Sequence, residues 1–313
     1  MTHSPRVSIG FPVYNGERYL REALDSIQAQ TFTDFELIIC DNASTDSTEE
    51  VCRSYAATDS RFKYFRNPAN IGVDRNFNRT FELSSGEYFR WAAADDISAP
   101  AYVERCVEAL DQRPEVVLCY PKTRYIDENG NAILDYVDGL NLESPFPNKR
   151  FSHCLWNLRM CNAVFGLIRS SALKQTELFG VYSNSDLVFL GEMALYGCFY
   201  EIPETLFFRR IHEGIAGKKY ASLHDRMIMS EPAKTGKLYY PNWKVFGGFL
   251  SAIHRSPVRG KEALLCYARM HIWFRRWGGG LLEDLKVAAK YYLSGGNKVM
   301  QPNADLQSKR PSP

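Results

Sequence analysis

Two adjacent carboxylates at the end of an apolar run are the strongest chemical signal in this chain. Asp95 and Asp96 follow the strand-like stretch 87–93, and Pro100 comes shortly after them. Two like charges this close repel each other unless a cation or polar donors lie between them. Because open α/β folds bind ligands at the carboxyl ends of their strands, the pair predicts a divalent metal site there. The alternative is a turn that caps the next helix.

Three other polar segments follow predicted strands or open a predicted helix. They are residues 12–17 after the first strand, 41–46 after the second, and 70–76 at the start of the third helix. Asp41 can accept the hydrogen bond of a pyrimidine N3–H, Tyr14 can stack on a base, and Arg75 can pair with a phosphate. Each has an ordinary alternative: an Asx turn for Asp41, packing for Tyr14 and Pro12, and a solvated helix position for Arg75.

The combination of segments resembles the inverting glycosyltransferases of family two, which have the GT-A fold. The chain has the family's Pro-x-Tyr-Asn opening at 12–15, its Asp-Asn-x-Ser-x-Asp at 41–46 and its Asn-x-Gly-x-x-x-Asn at 70–76. The resemblance covers residues 6–215, and the combination is more specific than any one motif. Ala93 stands where the family often has an acidic residue, which puts a supporting contact in doubt.

The resemblance implies a role for each candidate residue. Asp95 would contact the ribose of a nucleotide-sugar donor, with a UDP-sugar favoured, and Asp96 would bind the Mn²⁺ or Mg²⁺ that bridges its phosphates. Arg210 and His212 form an Arg-x-His that would close on the diphosphate or the metal, although a lone His is often structural. The full donor-binding set is Pro12, Tyr14, Glu17, Asp41, Asn42, Arg75, Asp95 and Arg210, and the metal set is Asp96 and His212.

An inverting transfer also needs a general base on the face opposite the leaving group. Asp186 begins a predicted helix over 186–196, in the segment that resembles the family's base segment. Glu192 on the same helix is an alternative base. A carboxylate at the start of a helix can also serve only to complement the helix dipole.

Charge is distributed unevenly along the 313 residues. Residues 216–313 contain 17 Lys and Arg against 6 Asp and Glu, a net charge of +11, whereas the preceding residues have a net charge of −9. With the aromatic and basic cluster 273–277, this predicts a C-terminal region that contacts an anionic membrane or a lipid diphosphate. The alternative is a helical appendage that packs on the catalytic domain and supports a homodimer. Nucleic acid is not an expected partner, because no recognised binding module is present.

The eight cysteines form no C-x-x-C pair and lie mostly inside apolar runs. This pattern predicts free thiols in a reducing cytoplasm rather than a disulfide framework. Residues 1–6 show no signal sequence, and no apolar segment is long enough to span a bilayer. We therefore expect a cytoplasmic protein that works at the inner face of the membrane if its basic region binds there.

Strand and helix patterns alternate with short loops through about residue 120. This predicts the α/β class, and the resemblance narrows it to a GT-A (Rossmann-like) mixed, mostly parallel sheet flanked by helices, with a helical C-terminal appendage. We predict a catalytic domain over 1–215, with a nucleotide-sugar half at about 6–125 and an acceptor half at about 126–215. A mainly helical region over 216–300 and a disordered tail over 301–313 follow. A hairpin turn is predicted at 127–131 and a long loop at 140–150.

The expected function is metal-dependent, inverting transfer of a sugar to a hydroxyl of a glycan or lipid-linked glycan, in surface polysaccharide synthesis. A different class of protein also fits the motifs, namely a non-catalytic nucleotide-sugar-binding or scaffold protein with Ala93 as a sign of decay. The retained Asp95, Asp96 and Asp186 argue against that alternative. A Rossmann dehydrogenase is disfavoured, because no G-x-G-x-x-G follows the first strand.

Overall fold

The computed structural model describes residues 4–213, 229–231 and 238–293. Strands and helices alternate through its first half, as predicted. The elements are β1 (Val7–Val13), α1 (Glu17–Gln28), β2 (Phe35–Asp41), α2 (Thr48–Thr58), β3 (Phe62–Arg66), α3 (Val73–Glu82) and β4 (Tyr88–Trp91). β1 and β2 are buried along their whole length, because a parallel sheet is covered by helices on both faces.

The second half is less regular. Its elements are β5 (Ile97–Ser98), α4 (Tyr102–Gln112), β6 (Val116–Ile126), β7 (Ala132–Tyr136), α5 (Pro147–Asn157), a 3₁₀ turn (Asn162–Phe165), β8 (Leu167–Arg169), α6 (Ser170–Leu173), α7 (Ser185–Tyr196) and β9 (Cys198–Arg210). β6 and β7 form the hairpin predicted around 127–131, closed by a hydrogen bond from the Asp127 amide to the Asn131 carbonyl at 2.8 Å.

All these strands belong to one mixed sheet in the order β3-β2-β1-β4-β8-β6-β9-β5, with β7 paired to β6. The first four strands are parallel, β8 runs antiparallel to both its neighbours, and β6 and β9 are parallel again. The predicted mixed, mostly parallel sheet flanked by helices is confirmed. The loops that follow β1, β2 and β4 therefore meet at one edge of the sheet.

The segment predicted as a long loop at 140–150 is more ordered than that. Leu142 is buried and pairs with Phe199, through hydrogen bonds of 3.0 and 3.1 Å between their backbones. α5 then begins at Pro147, because proline suits the first turn of a helix. The loop prediction was therefore wrong for residues 147–150.

Three helices follow the sheet: α8 (Pro241–Arg255), α9 (Gly260–Trp277) and α10 (Gly279–Leu293). α8 packs on α7 and α9 packs on α5, and buried side chains from the three helices belong to the same core as the sheet. Gly191 of α7 permits this contact, since a Cβ there would lie 2.5 Å from the Phe249 ring. The helical C-terminal appendage is confirmed over these residues. The domain boundary at 215 and the disordered tail over 301–313 lie outside the described residues and stay predictions.

All eight cysteines are free and buried, as predicted. In the described ranges 4–213, 229–231 and 238–293, no helix is both long and apolar enough to cross a membrane.

Candidate active site

Hydrogen bonds join the loops that follow β1 and β2. The Asn15 amide donates to Ser44 Oγ at 2.9 Å, and Ser47 Oγ donates to a carboxylate oxygen of Glu17 at 2.7 Å. Asn15 takes a left-handed conformation, with φ at 48°, which a short polar side chain tolerates. Glu17 therefore holds the two loops together. The donor contact that the sequence predicts for Glu17 remains a prediction.

Pro12 and Tyr14 lie in different environments, although they are two residues apart. Pro12 is buried in β1, in register with Cys40 of β2. Tyr14 follows the end of β1 and is 46% exposed, so its ring can reach a ligand at the sheet edge. Tyr14 is therefore accessible at the sheet edge, whereas Pro12 is a buried part of the sheet. The contacts of both residues with a nucleotide remain predictions.

Asp41 ends β2 and is fully buried. Its Oδ1 accepts a hydrogen bond from the Ser44 amide at 2.8 Å. Its Oδ2 accepts hydrogen bonds from the Tyr64 hydroxyl at 2.7 Å and from the Arg66 guanidinium. These three bonds fix the orientation of the carboxylate, and the donor contact predicted for Asp41 remains a prediction. Arg66 is a site residue that the sequence analysis missed; its signal was its place at the end of β3, on the same sheet edge.

Asn42 uses both ends of its amide within the protein. Its Nδ2 donates to Asn70 Oδ1 at 2.9 Å and to the Gly72 carbonyl at 3.4 Å. Its Oδ1 accepts from Asn67 Nδ2 at 2.9 Å and from the Ile71 amide at 3.0 Å. Asn42 thus joins the second and third predicted motifs and positions the loop. A direct contact between Asn42 and the donor remains a prediction.

Arg75 lies in the first turn of α3 with its side chain half-exposed. Its guanidinium is 3.4 Å from the Ile71 carbonyl and 3.4 Å from a carboxylate oxygen of Glu231. Both contacts are long for hydrogen bonds, so a diphosphate could replace either partner. The phosphate contact predicted for Arg75 remains a prediction.

The structure brings together Asp95 and His212, which belong to separate sequence motifs. His212 Nε2 lies 3.0 Å from Asp95 Oδ2. The Asp95 side chain is 32% exposed and that of His212 is 11% exposed. Carboxylate oxygen and imidazole nitrogen are both ligands of divalent metals. This pair at the sheet edge can therefore contribute two ligands to one cation.

Asp96 is less accessible than Asp95, with 7% of its surface exposed. One carboxylate oxygen accepts a hydrogen bond from the Arg210 amide at 2.8 Å. Burial raises the pKa of Asp96 to about 8, and the nearby charge of Asp95 adds to this shift. Asp96 therefore holds the turn against β9, whereas Asp95 faces the site.

Arg210 is almost fully buried, and its guanidinium is bonded within the protein. Nε donates to the Asp95 carbonyl at 3.0 Å, and Nη2 donates to a Glu22 carboxylate oxygen at 2.6 Å. Nη1 donates to the carbonyls of Asp127 and Glu128 at 3.2 and 3.1 Å. These bonds direct the side chain into the protein and hold the turn in position. The donor contact predicted for Arg210 remains a prediction.

Among residues 4–213, 229–231 and 238–293, no three His, Cys, Asp or Glu side chains form a ready metal-binding group. Mg²⁺ in nucleotide sites often binds through one or two protein carboxylates and takes its other ligands from water and substrate phosphates. The donor set of Asp95 and His212 fits such a cation.

Asp186 lies in the first turn of α7, as predicted. The preceding Asn184 has φ at 65°, and Asp186 Oδ1 accepts a hydrogen bond from the Leu187 amide at 3.0 Å. Burial raises the pKa of Asp186, while the Arg209 charge and a hydrogen bond from the Cys161 side chain act in the opposite direction. A carboxylate whose pKa is raised towards neutrality suits a general base.

Glu192, the alternative base, lies further along α7 and is 1% exposed. Arg255 of α8 pairs with it, with Nη2 at 3.1 and 3.3 Å from its two carboxylate oxygens. Glu192 therefore joins α7 to the C-terminal helices, and its role as an alternative base remains a prediction.

Arg209 is a second residue that the sequence analysis missed. Because successive side chains of a strand point to opposite faces, it faces away from Arg210. Its Nη1 donates to the Met160 carbonyl at 2.8 Å and also to Asn162 Oδ1. Its positive charge lowers the pKa of both Asp96 and Asp186, so it acts on the two predicted centres at once. The Arg209–Arg210 doublet was a visible signal, but only its second member matched a motif.

Asp74 of α3 connects the third motif to the start of α7. Its Oδ1 accepts a hydrogen bond from Ser185 Oγ at 3.2 Å. Burial raises the pKa of Asp74 to about 7, and the charge of Asp186 contributes to the shift. Ser185 is the first residue of α7, and Asn184 before it is the N-cap. The Ser185 side chain therefore joins the start of α7 to α3 through Asp74.

Comparisons with known proteins agree with this architecture. An uncharacterized glycosyltransferase of Methanocaldococcus jannaschii is 31% identical over 134 residues, which are 42% of this chain and 46% of the relative. The chain thus spans about half the length of that curated relative.

Two solved structures share the fold at low sequence identity. TarS of S. aureus, residues 1–349 in complex with UDP-GlcNAc, superposes with a TM-score of 0.58 at 17% identity, over 96% of this chain and 97% of that one. Mannosyltransferase PcManGT of Pyrobaculum calidifontis, in complex with GDP-Man and Mn²⁺, superposes with a TM-score of 0.50 at 16% identity, over 93% of this chain and 88% of that one.

The family model described as "Glycosyl transferase family 2" matches residues 8–176, more than half of the chain. This span contains three of the polar segments described above, together with the Asp95–Asp96 turn. The chain belongs to glycosyl transferase family 2.

Proposed function

We propose that this protein is a metal-dependent, inverting glycosyltransferase that uses a nucleotide-sugar, with a UDP-sugar as the favoured donor. The observation that carries the proposal is the arrangement around Arg209. A carboxylate–imidazole pair lies beside Asp96, and a half-buried carboxylate begins α7, with the charge of Arg209 acting on both centres. The acceptor would be a hydroxyl of a glycan or lipid-linked glycan in surface polysaccharide synthesis, at the cytoplasmic face.

Asp95 and His212 would hold Mn²⁺ or Mg²⁺ in this proposal, and Asp96 would orient their turn. When bound, the cation would supply positive charge against the negative charge that develops on a departing nucleoside diphosphate. The assignment moves the metal role from Asp96 to Asp95, because Asp95 is the more exposed carboxylate and lies next to His212. Arg210 stabilises the Asp95–Asp96 turn through its hydrogen bonds to Asp96 and to the Asp95 carbonyl.

On the donor side, Tyr14 would stack on the base and Asp41 would accept the N3–H of a pyrimidine. Tyr64 and Arg66 fix the orientation of the Asp41 carboxylate. Arg75 would contact a phosphate in exchange for one of its long protein contacts. The UDP-GlcNAc in the TarS complex supports a pyrimidine nucleotide, although the GDP-Man of the mannosyltransferase complex shows that the fold accepts others.

Asp186 would take the proton of the acceptor hydroxyl as that oxygen attacks the anomeric carbon. The carboxylate accepts hydrogen bonds from the Leu187 amide, at Oδ1, and from the Cys161 side chain, and these bonds would orient it toward the acceptor. Its raised pKa improves its strength as a base near neutral pH. The acceptor would therefore bind beside α7, on the side that the sequence assigns to residues 126–215.

Calorimetric titration of UDP with and without Mn²⁺ tests the metal assignment. We expect Asp95→Asn to weaken Mn²⁺-dependent UDP binding by about 10–100-fold, the usual cost of losing one charged hydrogen-bonding or ligand group. Asp96→Asn should leave thermal stability near that of the wild type, because its amide oxygen can still accept from the Arg210 amide and no buried charge has to be desolvated, and should retain the effect of Mn²⁺ on UDP affinity. The reverse pattern would return the metal role to Asp96.

A transfer assay with UDP-, dTDP- and GDP-sugars separates the enzyme from the alternative class. Mn²⁺-dependent binding of UDP without hydrolysis or transfer of any of these sugars would favour a non-catalytic nucleotide-sugar-binding protein. Release of nucleoside diphosphate by the wild-type protein, lost in Asp186→Asn, would support the enzyme.

A further inference from the structure

α10 has its larger apolar side chains on the outside. Leu282, Leu285 and Leu293 are 61, 49 and 89% exposed, and Tyr292 is 70% exposed. The inward positions include Leu281, Ala288 and the acidic residue Asp284, all buried. A helix that packs on a protein surface for its own stability normally turns its leucines inward.

The orientation of α10 is set by Asp284. Its Oδ2 accepts hydrogen bonds from the amides of Asn242 and Trp243 at 2.9 and 3.2 Å, and its Oδ1 accepts one from Asn242 Nδ2 at 2.8 Å. These bonds cap the N-terminus of α8, where a carboxylate is favoured by unpaired amides and by the helix dipole. The outward leucines are therefore a consequence of a specific, bonded register.

The end of α9 extends the same kind of surface. Phe274 is 59% exposed and Arg275 is exposed beside it. By contrast, Trp273 is 1% exposed, and Arg276 donates to the carbonyls of Leu155 and Trp156. The cluster 273–277 is thus divided between structural residues and surface residues. We define the docking surface as Phe274, Arg275, Leu282, Leu285, Lys286, Lys290, Tyr292 and Leu293.

Exposed apolar groups are concentrated in this part of the protein. Half of the exposed large hydrophobic side chains of the described residues lie between Trp243 and Leu293. The described residues 238–293 also contain 9 Lys and Arg against 3 Asp and Glu, a net charge of +6. Apolar side chains next to basic ones match the two layers of a bilayer surface, acyl chains and anionic headgroups.

We propose that this docking surface binds the surface of an anionic membrane. The main competing occupant is a second copy of the chain, and charge argues against it. Two copies facing each other through this surface would bring two sets of three basic side chains together, those of Arg275, Lys286 and Lys290. Within the described part of the chain, only Lys286 of the three has an acidic partner, Glu283 of its own helix at 2.7 Å. An anionic bilayer is complementary to this charge. The inference goes beyond the proposed function, because it concerns where the protein works and does not depend on the donor or the base.

Co-sedimentation of the full chain with vesicles tests the proposal. The vesicles are phosphatidylcholine alone, or phosphatidylcholine with about one third phosphatidylglycerol. We expect binding only to the anionic vesicles, and a steep loss of binding with added salt, because salt screens charges beyond about 10 Å at 0.1 M. No binding to anionic vesicles at low salt would overturn the proposal.

Two double variants examine the two parts of the surface. Arg275→Glu with Lys290→Glu should weaken vesicle binding by at least about tenfold, because each basic residue near an anionic surface changes partition severalfold. Leu282→Ser with Leu285→Ser should weaken it as well and should lower the binding that survives high salt. Undiminished binding by either variant would contradict the proposed surface.

A matched control variant reverses two positive charges outside the docking surface. Lys122→Glu with Lys174→Glu alters two exposed lysines of the sheet part and should leave vesicle binding within about twofold of the wild type. A comparable loss in this control would show attraction by total charge and overturn the assigned surface.

Sedimentation velocity supplies the remaining test. A dimer that dissociates in the Leu282→Ser, Leu285→Ser variant would show that a second copy covers this surface and would overturn membrane docking. UDP affinity, measured in parallel, reports on the proposed function alone. Loss of vesicle binding with unchanged UDP affinity is the pattern expected of the variants.

Discussion

The sheet edge and the C-terminal helices differ in which side chains they bury. At the edge, polar groups are withdrawn from water and bonded: Asp41, Asn42 and Arg210 are nearly or fully buried, with three or more partners each. In α10, Leu282 and Leu293 are exposed, while an aspartate is buried. The first arrangement places a few groups accurately, and the second leaves a surface for something else to cover.

This difference has an energetic meaning. Buried polar groups must keep their partners, because an unpaired one costs about 1–3 kcal/mol. The edge is therefore a rigid frame, and the more accessible side chains of Asp95 and Asp186 are the groups that we propose for metal binding and for catalysis. The exposed leucines add little to the stability of the folded chain, so their position is better explained by contact with a partner.

The largest expected effect is a loss of turnover in a variant that keeps the hydrogen bonds of the sheet edge. Asp186→Asn should lower turnover by about 10²–10⁴-fold, the usual contribution of a positioned general base, and should leave UDP affinity nearly intact. Steady-state transfer kinetics and calorimetry measure the two quantities. Near-normal turnover would remove Asp186 from the mechanism, and a loss that is confined to UDP affinity would make it a donor contact.

Neighbouring residues of α9 give a direct comparison of the two kinds of surface. Trp273→Ala should lower the free energy of unfolding by about 3–5 kcal/mol, because it removes a buried aromatic side chain. Phe274→Ala should change it by no more than about 0.5 kcal/mol, because Phe274 is 59% exposed. Equilibrium unfolding in urea measures both. Equal losses would mean that Phe274 is covered within the monomer.

Arg210→Gln tests whether the frame depends on its buried cation. The variant should lose about 2–4 kcal/mol of unfolding free energy, since the bonds to carbonyls and to Glu22 are lost or weakened. Arg105→Gln is the control, because Arg105 also pairs with two carboxylates but is exposed, and such pairs contribute about 0–1 kcal/mol. A loss no larger than that of the control would contradict a framing role for Arg210.

The smallest effect is a shift in pH dependence. The positive charge of Arg209 favours the ionised form of Asp186 and lowers its pKa, against burial, which raises it. Arg209→Gln should therefore raise this pKa further. Since the base must be ionised, the acidic limb of kcat/KM should move to higher pH by about 0.5–1 unit.

Arg209→Lys is the matched variant, because it retains the charge and should keep the limb near its original pH. The other groups that act on this carboxylate, the Cys161 thiol and Asp74, are unchanged in both variants. An unshifted limb in Arg209→Gln would show that Arg209 does not act on the base.

The order of elements followed from the sequence, because hydrophobic periodicity and turn residues are local properties. The alternation through β4, the start of α7 near Asp186 and the hairpin after β6 were all predicted in this way. The segment 147–150 was not, because its loop-like composition gave no sign of the helix packing that orders α5 against α7 and α9.

By itself, the sequence determined which residue types end the strands, and hence that carboxylates, an aromatic ring and cations meet at one edge. Only the tertiary structure decided which of these groups are buried and bonded within the protein and which remain accessible to a ligand. β9 returns to the edge from far along the chain, so it brings His212 to Asp95, buries Arg210 and places Arg209 where its charge acts on both Asp96 and Asp186. Burial and partnership depend on such distant pairings, and no local pattern encodes them.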